Sequence, residues 1–245
     1  MKQLLQKLLL WLLCFYTAIP LQGQNCDETT AIGYLQANRL KAAIRNGGDL
    51  FSDGQSGQFV TPLGNSTTET RTAIYSAGIW LGGYDTGGNL HMAAQTYRQA
   101  GNDFWAGPID SLTGNTDSLT CLRFDNIWVV DILDVMTVIE DYEKDGIING
   151  TIPTALQIWP ARGNTFYPLQ YGFNLPDQDL APFFDRNNDG IYNPYHGDYP
   201  VYEQGNPTAI ADEMAWAVFN DKANTHEVTH TAPLGVELNL IQFCI

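Results

Sequence analysis

The sequence has few basic residues and little charge overall. Lysine and arginine number 12 against 27 acidic residues, so the formal net charge is −15, and only 16% of the residues are charged. A surface that binds nucleic acid needs clustered Lys and Arg opposite the phosphates, and adsorption on anionic lipid needs the same clusters. We therefore expect no nucleic acid partner and no attachment to an anionic lipid surface.

The usual local signatures of catalysis and cofactor binding are also missing. The sequence contains no Gly-x-Ser-x-Gly motif, no phosphate-binding loop and no dinucleotide fingerprint. None of its four cysteines stands in a Cys-x-x-Cys pair, so a zinc ribbon or a thioredoxin-like site is not expected. These absences favour a protein that is not an enzyme.

Apolar and aromatic residues are abundant. The chain is 44% hydrophobic and 12% aromatic, and it contains 23 glycines. This composition excludes a disordered chain, and 245 residues are enough for one buried core. Low charge together with many aromatic residues is typical of a β-rich secreted domain rather than of a helical cytosolic enzyme.

The N-terminus has the pattern of a secretory signal peptide over residues 1–23. Lys2 and Lys7 supply the positive start, residues 8–19 form an uninterrupted apolar stretch, and Gly23 offers a cleavage point. The stretch is shorter than the roughly 20 residues of a membrane-spanning helix, so we expect no membrane insertion after removal of the signal. Removal takes away two lysines and no acidic residue, which changes the formal charge to −17.

The cysteines suggest a single disulfide. Cys14 leaves with the signal, so Cys26, Cys121 and Cys244 remain. An odd number in an exported protein permits one disulfide and one free thiol. We favour the pair Cys26–Cys121, which would fasten the new N-terminus to the middle of the domain.

Most apolar segments after the signal alternate with a period of two residues, which indicates strands. Residues 72–82 and 90–97 are joined by a turn-rich connection at residues 84–89 and predict a β-hairpin. Further strands are predicted at residues 127–130, 215–219 and 235–243. We expect residues 24–245 to form a single β-rich extracellular domain with antiparallel, sandwich-like sheets, and an α+β fold is the alternative.

One segment has helical spacing instead. Apolar residues recur every three to four positions after Asp131, which predicts a helix over about 131–143. Asp131 is a good N-cap and Gly146 is a stop signal. A second short helix is expected at about 153–159, with a proline at its first position.

The most specific local signal is an Asp- and Asn-rich loop at residues 185–198. Calcium takes six to eight oxygen ligands, and a short loop supplies them from alternate positions around a tight glycine turn, here at Gly190. The twelfth position, a bidentate carboxylate in an EF-hand, is His196, so the loop would have to close two residues later. The residues expected to contact calcium are Asp185, Asn187, Asp189, the backbone carbonyl of Ile191, Asn193 and Asp198.

A turn without metal is the alternative interpretation of this loop, because Asp, Asn and Gly also form ordinary turns. A weaker version of the pattern occurs at residues 141–149, directly after the predicted helix. Its twelfth position is Ile152, so the closing carboxylate is absent there. Calcium is therefore the cofactor that we expect, and only at residues 185–198.

Residues 226–230 match the zinc-peptidase pattern His-Glu-x-x-His. That chemistry needs a helix, on which His226 and His230 share a face and Glu227 polarises a zinc-bound water. The β-branched residues of the segment and the following Pro233 oppose a helix. On a strand the two histidines would stand too far apart for one ion, at roughly 3.3 Å per residue. We expect a polar edge or loop, and a zinc peptidase is an alternative function.

A glycan-active or glycan-binding protein is a further alternative. Exposed aromatic rings stack on sugars, and the candidates here are Trp105, Trp159, Tyr167 and Tyr171. At this aromatic content we expect most of them to lie in the core.

Several segments, taken together, resemble a known family. They are residues 97–110 (YRQAGNDFWAGPID), residues 181–185 and 198–200 around the Asp-rich loop, residues 216–221 (WAVFND) and residues 233–237 (PLGVE). In their residues and in their order along the chain, these segments are similar to the N-terminal region of large secreted proteins of Bacteroidota, which usually end in a type IX secretion sorting domain. The resemblance covers the whole chain after the signal.

The resemblance implies passage through the export machinery and an extracellular or outer-membrane cell-surface location, but no particular activity. The sorting domain is missing from this sequence, and a periplasmic location is the alternative if that absence is real. The family continues past the segment that matches residues 235–243, so we expect a chain truncated at its C-terminal end. We expect a secreted or cell-surface structural or interaction module, stabilised by calcium, with a surface glycan or protein as partner.

Overall fold

The computed structural model describes residues 26–61 and 71–245. Strands account for 27% and helices for 16% of the structure, the sheets are antiparallel, and no closed barrel is formed by the described residues. The expected mainly β fold class is confirmed. The predicted signal peptide, residues 1–23, lies outside the described residues.

The strands are β1 (Ile32–Leu35), β2 (Lys41–Arg45), β3 (Asp49–Leu50), β4 (Phe59–Val60), β5 (Thr72–Ile74), β6 (Ala77–Gly78), β7 (Trp80–Tyr84), β8 (Leu90–Ala94), β9 (Trp105–Ala106), β10 (Trp128–Asp131), β11 (Phe183–Phe184), β12 (Tyr199–Pro200), β13 (Glu213–Asn220) and β14 (Glu237–Cys244). The helices are α1 (Ser118–Phe124), α2 (Ile132–Asp145), α3 (Thr154–Gln157) and α4 (Tyr167–Tyr171), and a 3-10 helix spans Pro194–His196. None of the helices in the two described ranges combines the length and the apolar character that a membrane span requires.

The N-terminal strands form a six-stranded sheet in the order β5-β4-β2-β3-β6, with β1 also paired to β2. The prediction of one strand over residues 72–82 is corrected, because this segment contains β5, β6 and the start of β7. The chain changes partner at Gly78: β6 pairs with β3, and β7 pairs with β8. A glycine is required there, since a Cβ at Gly78 would collide with the carbonyl oxygen of Gln95.

The predicted hairpin is confirmed as β7 and β8, which pair along their whole length. Asp85 organises the turn by accepting hydrogen bonds from two backbone N–H groups of the turn. The second strand ends at Ala94, before the predicted end at residue 97. Tyr97 and Arg98 have φ angles of 57° and 59°, which a strand does not accommodate.

β13 is the central strand of the second sheet. It pairs with β14 along its whole length, and its other edge pairs with β10 and with β9. All of its residues except the first are buried, as expected for a strand covered on both faces. The strands predicted at residues 127–130, 215–219 and 235–243 are confirmed within two residues as β10, β13 and β14.

α2 confirms the helix predicted at about 131–143. The Asp131 carboxylate accepts hydrogen bonds from two N–H groups of the first turn, and Gly146 ends the helix with a φ of 79°. The second predicted helix is shorter than expected and ends at Gln157, because Pro160 disfavours the helical conformation at the residue before it. α1 and α4, with 7 and 5 residues, are too short to show a helical period in the sequence.

The largest buried cluster joins α2, β10 and β13 to the irregular chain between α2 and β13. Four of its large aromatic side chains are fully buried: Trp159, Tyr167, Tyr192 and Trp216. Regular elements between residues 153 and 211 are no longer than five residues. Loops therefore hold this part of the core in place, and one of them is the predicted calcium loop.

Candidate functional site

The predicted calcium loop, residues 185–198, lies between β11 and β12. These two short strands pair antiparallel, with Phe184 opposite Tyr199, and so hold the two ends of the loop together. The 3-10 helix forms the second half of the loop. The pairing of the ends brings Asp185 and Asp198 to the same side of the molecule.

The first half of the loop is a tight turn built by its own carboxylates. Asp185 accepts hydrogen bonds from the backbone N–H groups of Asp189, at 3.3 Å, and Gly190, at 2.7 Å. Asp189 accepts from the N–H of Ile191 at 2.8 Å and from the side-chain amide of Asn187 at 2.8 Å. Gly190 has a φ of 77°, the conformation that favours glycine. The spacing read from the sequence thus brings the first three expected ligands together.

Asp198 closes the loop from inside the protein. Its side chain is fully buried, and its two oxygens accept hydrogen bonds from the N–H groups of Arg186, at 2.9 Å, and Asn193, at 2.8 Å. The pKa of Asp198 is raised from 3.8 to about 6, mainly by burial; the two hydrogen bonds oppose this shift, and the negative charges of Asp185 and Asp189 add to it. Three carboxylates of the loop therefore interact electrostatically.

The basic side chains of the loop are directed elsewhere. The Arg186 guanidinium lies 4.5 Å from the centre of the Tyr142 ring, and its Nε donates to the carbonyl oxygen of Gly197 at 3.2 Å. His196 is half exposed, and its Nδ1 is 4.0 Å from Asp189. Neither forms an ion pair with Asp198 within the part of the chain that the structure describes.

The other two expected ligands are placed differently. Asn193 uses its side-chain oxygen to cap the 3-10 helix, where it accepts from the N–H of Tyr195 at 3.0 Å. Ile191, whose backbone carbonyl is the expected ligand, is an exposed residue of the turn. No group of three or more His, Cys, Asp or Glu side chains in the described ranges is arranged in this structure as a metal-binding set.

The weaker loop at residues 141–149 satisfies its own carboxylates. Asp141 accepts from the N–H groups of Asn149 and Gly150 at 2.7 and 2.8 Å, and these bonds lower its pKa. Asp145 accepts from the N–H of Ile147 at 3.0 Å. The pKa of Asp141 is thus lowered, whereas that of Asp198 is raised. Residues 141–149 therefore form a self-contained turn, and residues 185–198 form a loop with an excess of buried negative charge.

Cys26 and Cys121, the pair favoured from the sequence, are joined by a disulfide with a Cα–Cα distance of 5.8 Å. The bond fastens the beginning of the described chain to α1. Cys244 is a free thiol on β14, and its partial burial raises its pKa.

The segment with the zinc-peptidase pattern is not helical. His226 is buried, with Nδ1 2.7 Å from the carbonyl oxygen of Met92 and Nε2 2.7 Å from that of Asp221. Both ring nitrogens are thus engaged by carbonyl oxygens in the protein interior, so the ring is not free to bind zinc. His230 is exposed and Glu227 accepts from a backbone N–H, so these three residues do not form a ligand set.

Two buried carboxylates flank the ring of His226. Asp103 lies 3.9 Å from its Nδ1 and Asp221 lies 3.7 Å from its Nε2. Each carboxylate also accepts three backbone N–H bonds, Asp103 from Ala94, Val228 and Thr229, and Asp221 from Leu234, Gly235 and Val236. Sequence reasoning missed this cluster because Asp103 is more than a hundred residues from Asp221 and His226, and no local pattern marks it.

The aromatic residues considered for sugar stacking are mainly core residues. Trp105, Trp159 and Tyr167 are 3%, 0% and 0% exposed, and Tyr171 is half-buried and stacks on Tyr167 with ring centres 4.5 Å apart. Buried rings of this kind present no free face to a sugar.

Comparisons with protein-family models, with curated proteins and with solved structures give no match to this chain. Its function therefore has to be inferred from its own residues and geometry.

Proposed function

We propose that this chain is a secreted or cell-surface structural and interaction module, without enzymatic activity, that is stabilised by calcium at residues 185–198. One observation carries the calcium part of the proposal. Four aspartates are buried among the described residues, and Asp198 is the one without a basic side chain beside it.

The other three buried aspartates all have a basic side chain beside them. Asp49 lies 2.9 and 3.4 Å from the guanidinium groups of two arginines. Asp103 and Asp221 flank the ring of His226. Burial of a charge is expensive unless it is paired, and within the described residues Asp198 is the buried carboxylate that has no basic side chain to pair with.

The environment of Asp198 favours a cation from outside the chain. Its pKa is raised from 3.8 to about 6, and a shift of about 2 units corresponds to about 3 kcal/mol of unfavourable interaction for the charged form. The nearby carboxylates of Asp185 and Asp189 contribute part of this penalty. A divalent cation between the three would convert mutual repulsion into attraction.

The loop also has the oxygen atoms that calcium requires. Asp185 uses each of its oxygens for one hydrogen bond, and a carboxylate oxygen has a second lone pair. The carbonyl of Ile191 and the amide oxygen of Asn187 are hard neutral donors of the kind that complete a calcium shell. Asn193, as the cap of the 3-10 helix, would contribute through a water or not at all.

Calcium at this position would stabilise the core behind the loop. Tyr192 within the loop is fully buried, and its hydroxyl donates to the carbonyl oxygen of Leu156 at 2.9 Å. Tyr199 directly after the loop is buried as well. Since the chain here has only short regular elements, a metal-fixed loop is a physical means of holding these aromatic side chains.

The secreted or cell-surface location, with a surface glycan or protein as partner, is supported by the signal pattern of residues 1–23 and by the family resemblance. The alternative function of a zinc hydrolase finds no support in the geometry of His226, Glu227 and His230. We therefore keep the non-catalytic module as the proposal.

Metal analysis of the purified protein, combined with melting curves, tests the proposal. We expect about one calcium per chain, a melting temperature that falls in EDTA, and recovery with calcium but not with magnesium. Asp185→Asn should remove the calcium effect, whereas Asp145→Asn in the self-contained turn should retain it. A melting temperature indifferent to EDTA, or stoichiometric zinc that is lost on His230→Ala, would overturn the proposal.

A further inference from the structure

β14 is an edge strand of eight residues. One of its sides pairs with β13 over the whole length, and no strand of the described ranges pairs with the other side. The register is continuous, so no β-bulge interrupts the strand. The burial of the two strands differs accordingly: seven of the eight residues of β13 are buried, whereas none of those of β14 is. The second side of β14 is therefore open within the part of the chain that the structure describes.

The hydrogen bonds at the start of β14 show which of its backbone groups face the open side. The N–H of Asp221 donates to the carbonyl oxygen of Val236 at 3.2 Å, where the register places these two residues opposite each other. In an antiparallel pair the backbone groups turn towards the partner strand at every second residue. The even-numbered residues of β14 therefore bond to β13, and the odd-numbered residues direct their N–H and C=O groups outward. These are Glu237, Asn239, Ile241 and Phe243.

The outward backbone groups single out the kind of molecule that fits them. No hydrogen bond joins these four N–H groups or these four carbonyl oxygens to another described residue. Along the edge, the bonding positions repeat every second residue, at about 6.8 Å. The backbone of another extended chain presents acceptors and donors at the same repeat, so the complementary ligand is a β-strand.

The edge lacks the features by which proteins normally prevent the addition of a strand. Natural edge strands are very short, or carry Lys, Pro or a bulge. β14 contains no Lys, Arg, Pro or Gly, and its one charged residue is Glu237 at the first position. Its central residues, Leu240 and Ile241, pack against core clusters on opposite faces of the sheet. An added strand would therefore find apolar neighbours on both faces at its centre.

Carboxylates at both ends of β14 define the charge of the partner. Glu237 begins the strand, and Glu213 lies opposite Cys244 at its end. Both carboxylates accept hydrogen bonds from amide groups, and neither forms an ion pair within the described chain. Burial and the negative charges of Glu213 and Asp212 raise the pKa of the Cys244 thiol, so these charges act on the edge strand. A strand with a basic residue at each end is electrostatically complementary to this edge.

We propose that the open edge of β14 binds an extended segment of another protein as an added β-strand, with apolar residues at the centre of the segment and a Lys or Arg at each end. The inference rests on the proposed interaction role and gives it a partner of defined chemistry. It does not depend on calcium, because β14 contains none of residues 185–198. Antiparallel pairing with β14 of a second copy is unfavourable, since it would bring the carboxylates of Glu237 and Glu213 from the two copies towards each other.

The test is a titration of the ¹⁵N-labelled protein with the peptide acetyl-Lys-Thr-Val-Thr-Val-Thr-Val-Thr-Lys-amide, followed by NMR in a calcium-containing buffer of low ionic strength. We expect a dissociation constant below about 1 mM. In the free protein the odd-numbered amides of β14 should exchange their hydrogens rapidly and the even-numbered ones slowly. Bound peptide should slow the exchange of the odd-numbered amides at least about tenfold, because they then form hydrogen bonds.

Two control peptides separate strand pairing from other contacts. A version that is N-methylated at all of its central residues cannot donate to the edge, so it should not protect these amides. A version with Glu in place of both Lys keeps the backbone and reverses the charge. It should bind at least about tenfold more weakly at low ionic strength.

A matched pair of variants tests the edge from the side of the protein. Asn239→Pro removes an outward N–H that β13 does not use, and proline is accepted at such positions of edge strands. Its affinity for the lysine peptide should fall at least about fivefold, as expected for one lost hydrogen bond. Asn239→Thr also loses the side-chain bond to Glu237 but keeps the N–H, so it should bind like the unchanged protein.

No binding of the lysine peptide, equal binding of either control peptide, or equal affinity of the two Asn239 variants would overturn the inference. Protection of the odd-numbered amides without peptide would also overturn it. Protection that grows with protein concentration would identify a second copy as the occupant, and protection independent of concentration would show that the chain covers its own edge. Melting curves of the same samples in EDTA and in calcium report calcium stabilisation separately, so failures of the two proposals are distinguishable.

Discussion

Calcium should change how the stability of this protein depends on pH. Without calcium, the pKa of Asp198 is raised from 3.8 to about 6 in the folded chain. The folded state then keeps a proton that the unfolded state has already lost, so the free energy of unfolding falls as the pH rises from about 4 towards about 7. The raised pKa corresponds to a loss of about 3 kcal/mol over this window.

The assay is urea unfolding at about pH 4 and about pH 7, each in EDTA and in calcium chloride. In EDTA the loss of about 3 kcal/mol corresponds to a fall in melting temperature of about 6–12 °C for a domain of this size. In calcium the fall should disappear, because the metal stabilises the ionised carboxylates. Glu213 and Asp134 also have pKa values raised by burial, but their contributions are the same in both buffers. The pH dependence of the free energy of unfolding in EDTA, minus that in calcium, therefore reports on the loop alone.

A matched pair of variants sharpens this prediction. Asp189 and Asp145 make matching hydrogen bonds: one oxygen accepts from the N–H two residues later, and the other accepts from an asparagine amide. Asp189→Asn removes a charge that raises the pKa of Asp198, so it should stabilise the calcium-free protein at about pH 7 and weaken the response to calcium. Asp145→Asn should change the stability of the calcium-free protein, and its stabilisation by calcium, by no more than about 0.5 kcal/mol each. Equal pH slopes in EDTA and in calcium, or equal behaviour of the two variants, would refute the reasoning.

Two further predictions concern the buried links outside the loop. His226→Ala removes the basic side chain that lies between the buried Asp103 and Asp221, so it should destabilise the protein by about 3–5 kcal/mol in urea unfolding, and retention of full stability would contradict this pairing. Replacing Cys26 and Cys121 by serine opens a link across 95 residues of sequence and should cost about 2–5 kcal/mol, whereas Cys244→Ser should change the free energy of unfolding by less than about 1 kcal/mol.

The parts of the fold that depend on neighbouring residues were predictable from the sequence. Asp131 and Gly146 mark the ends of α2 because capping is a local interaction. The hairpin of β7 and β8 follows from alternation and a turn rich in Asp and Gly. The division of residues 72–82 was not predictable, since it is imposed by the close passage of Gly78 against Gln95, a contact between separate strands.

The same distinction applies to the candidate site. The spacing of Asp185, Asn187 and Asp189 predicts their gathering in one turn, because they are alternate residues of the same loop. The burial of Asp198 depends on β11 and β12 and on the core behind them, which spacing does not reveal. The zinc-peptidase pattern shows the converse: His226 has the required spacing from His230, but its conformation is set by Met92 and Asp221.

Buried carboxylates take the place of regular secondary structure in much of this protein. Asp103 and Asp221 each hold three backbone N–H groups, all but that of Ala94 in loops, and Asp198 holds two. A carboxylate is a compact acceptor that satisfies several N–H groups at once, so it can fix a segment that has no strand or helix partner. Each such group also buries a negative charge, which has to be balanced.

The chain has limited means of providing that balance. It has 12 basic residues against 27 acidic ones, and two of its arginines and its buried histidine already accompany Asp49, Asp103 and Asp221. At Asp198 the neighbouring charges are carboxylates instead. A protein with few basic residues that fixes its loops with buried aspartates can leave one of them, here Asp198, without a basic side chain beside it, and the proposed calcium ion would supply the missing positive charge. The scarcity of Lys and Arg in the sequence and the proposed calcium loop are thus connected by the same electrostatic requirement.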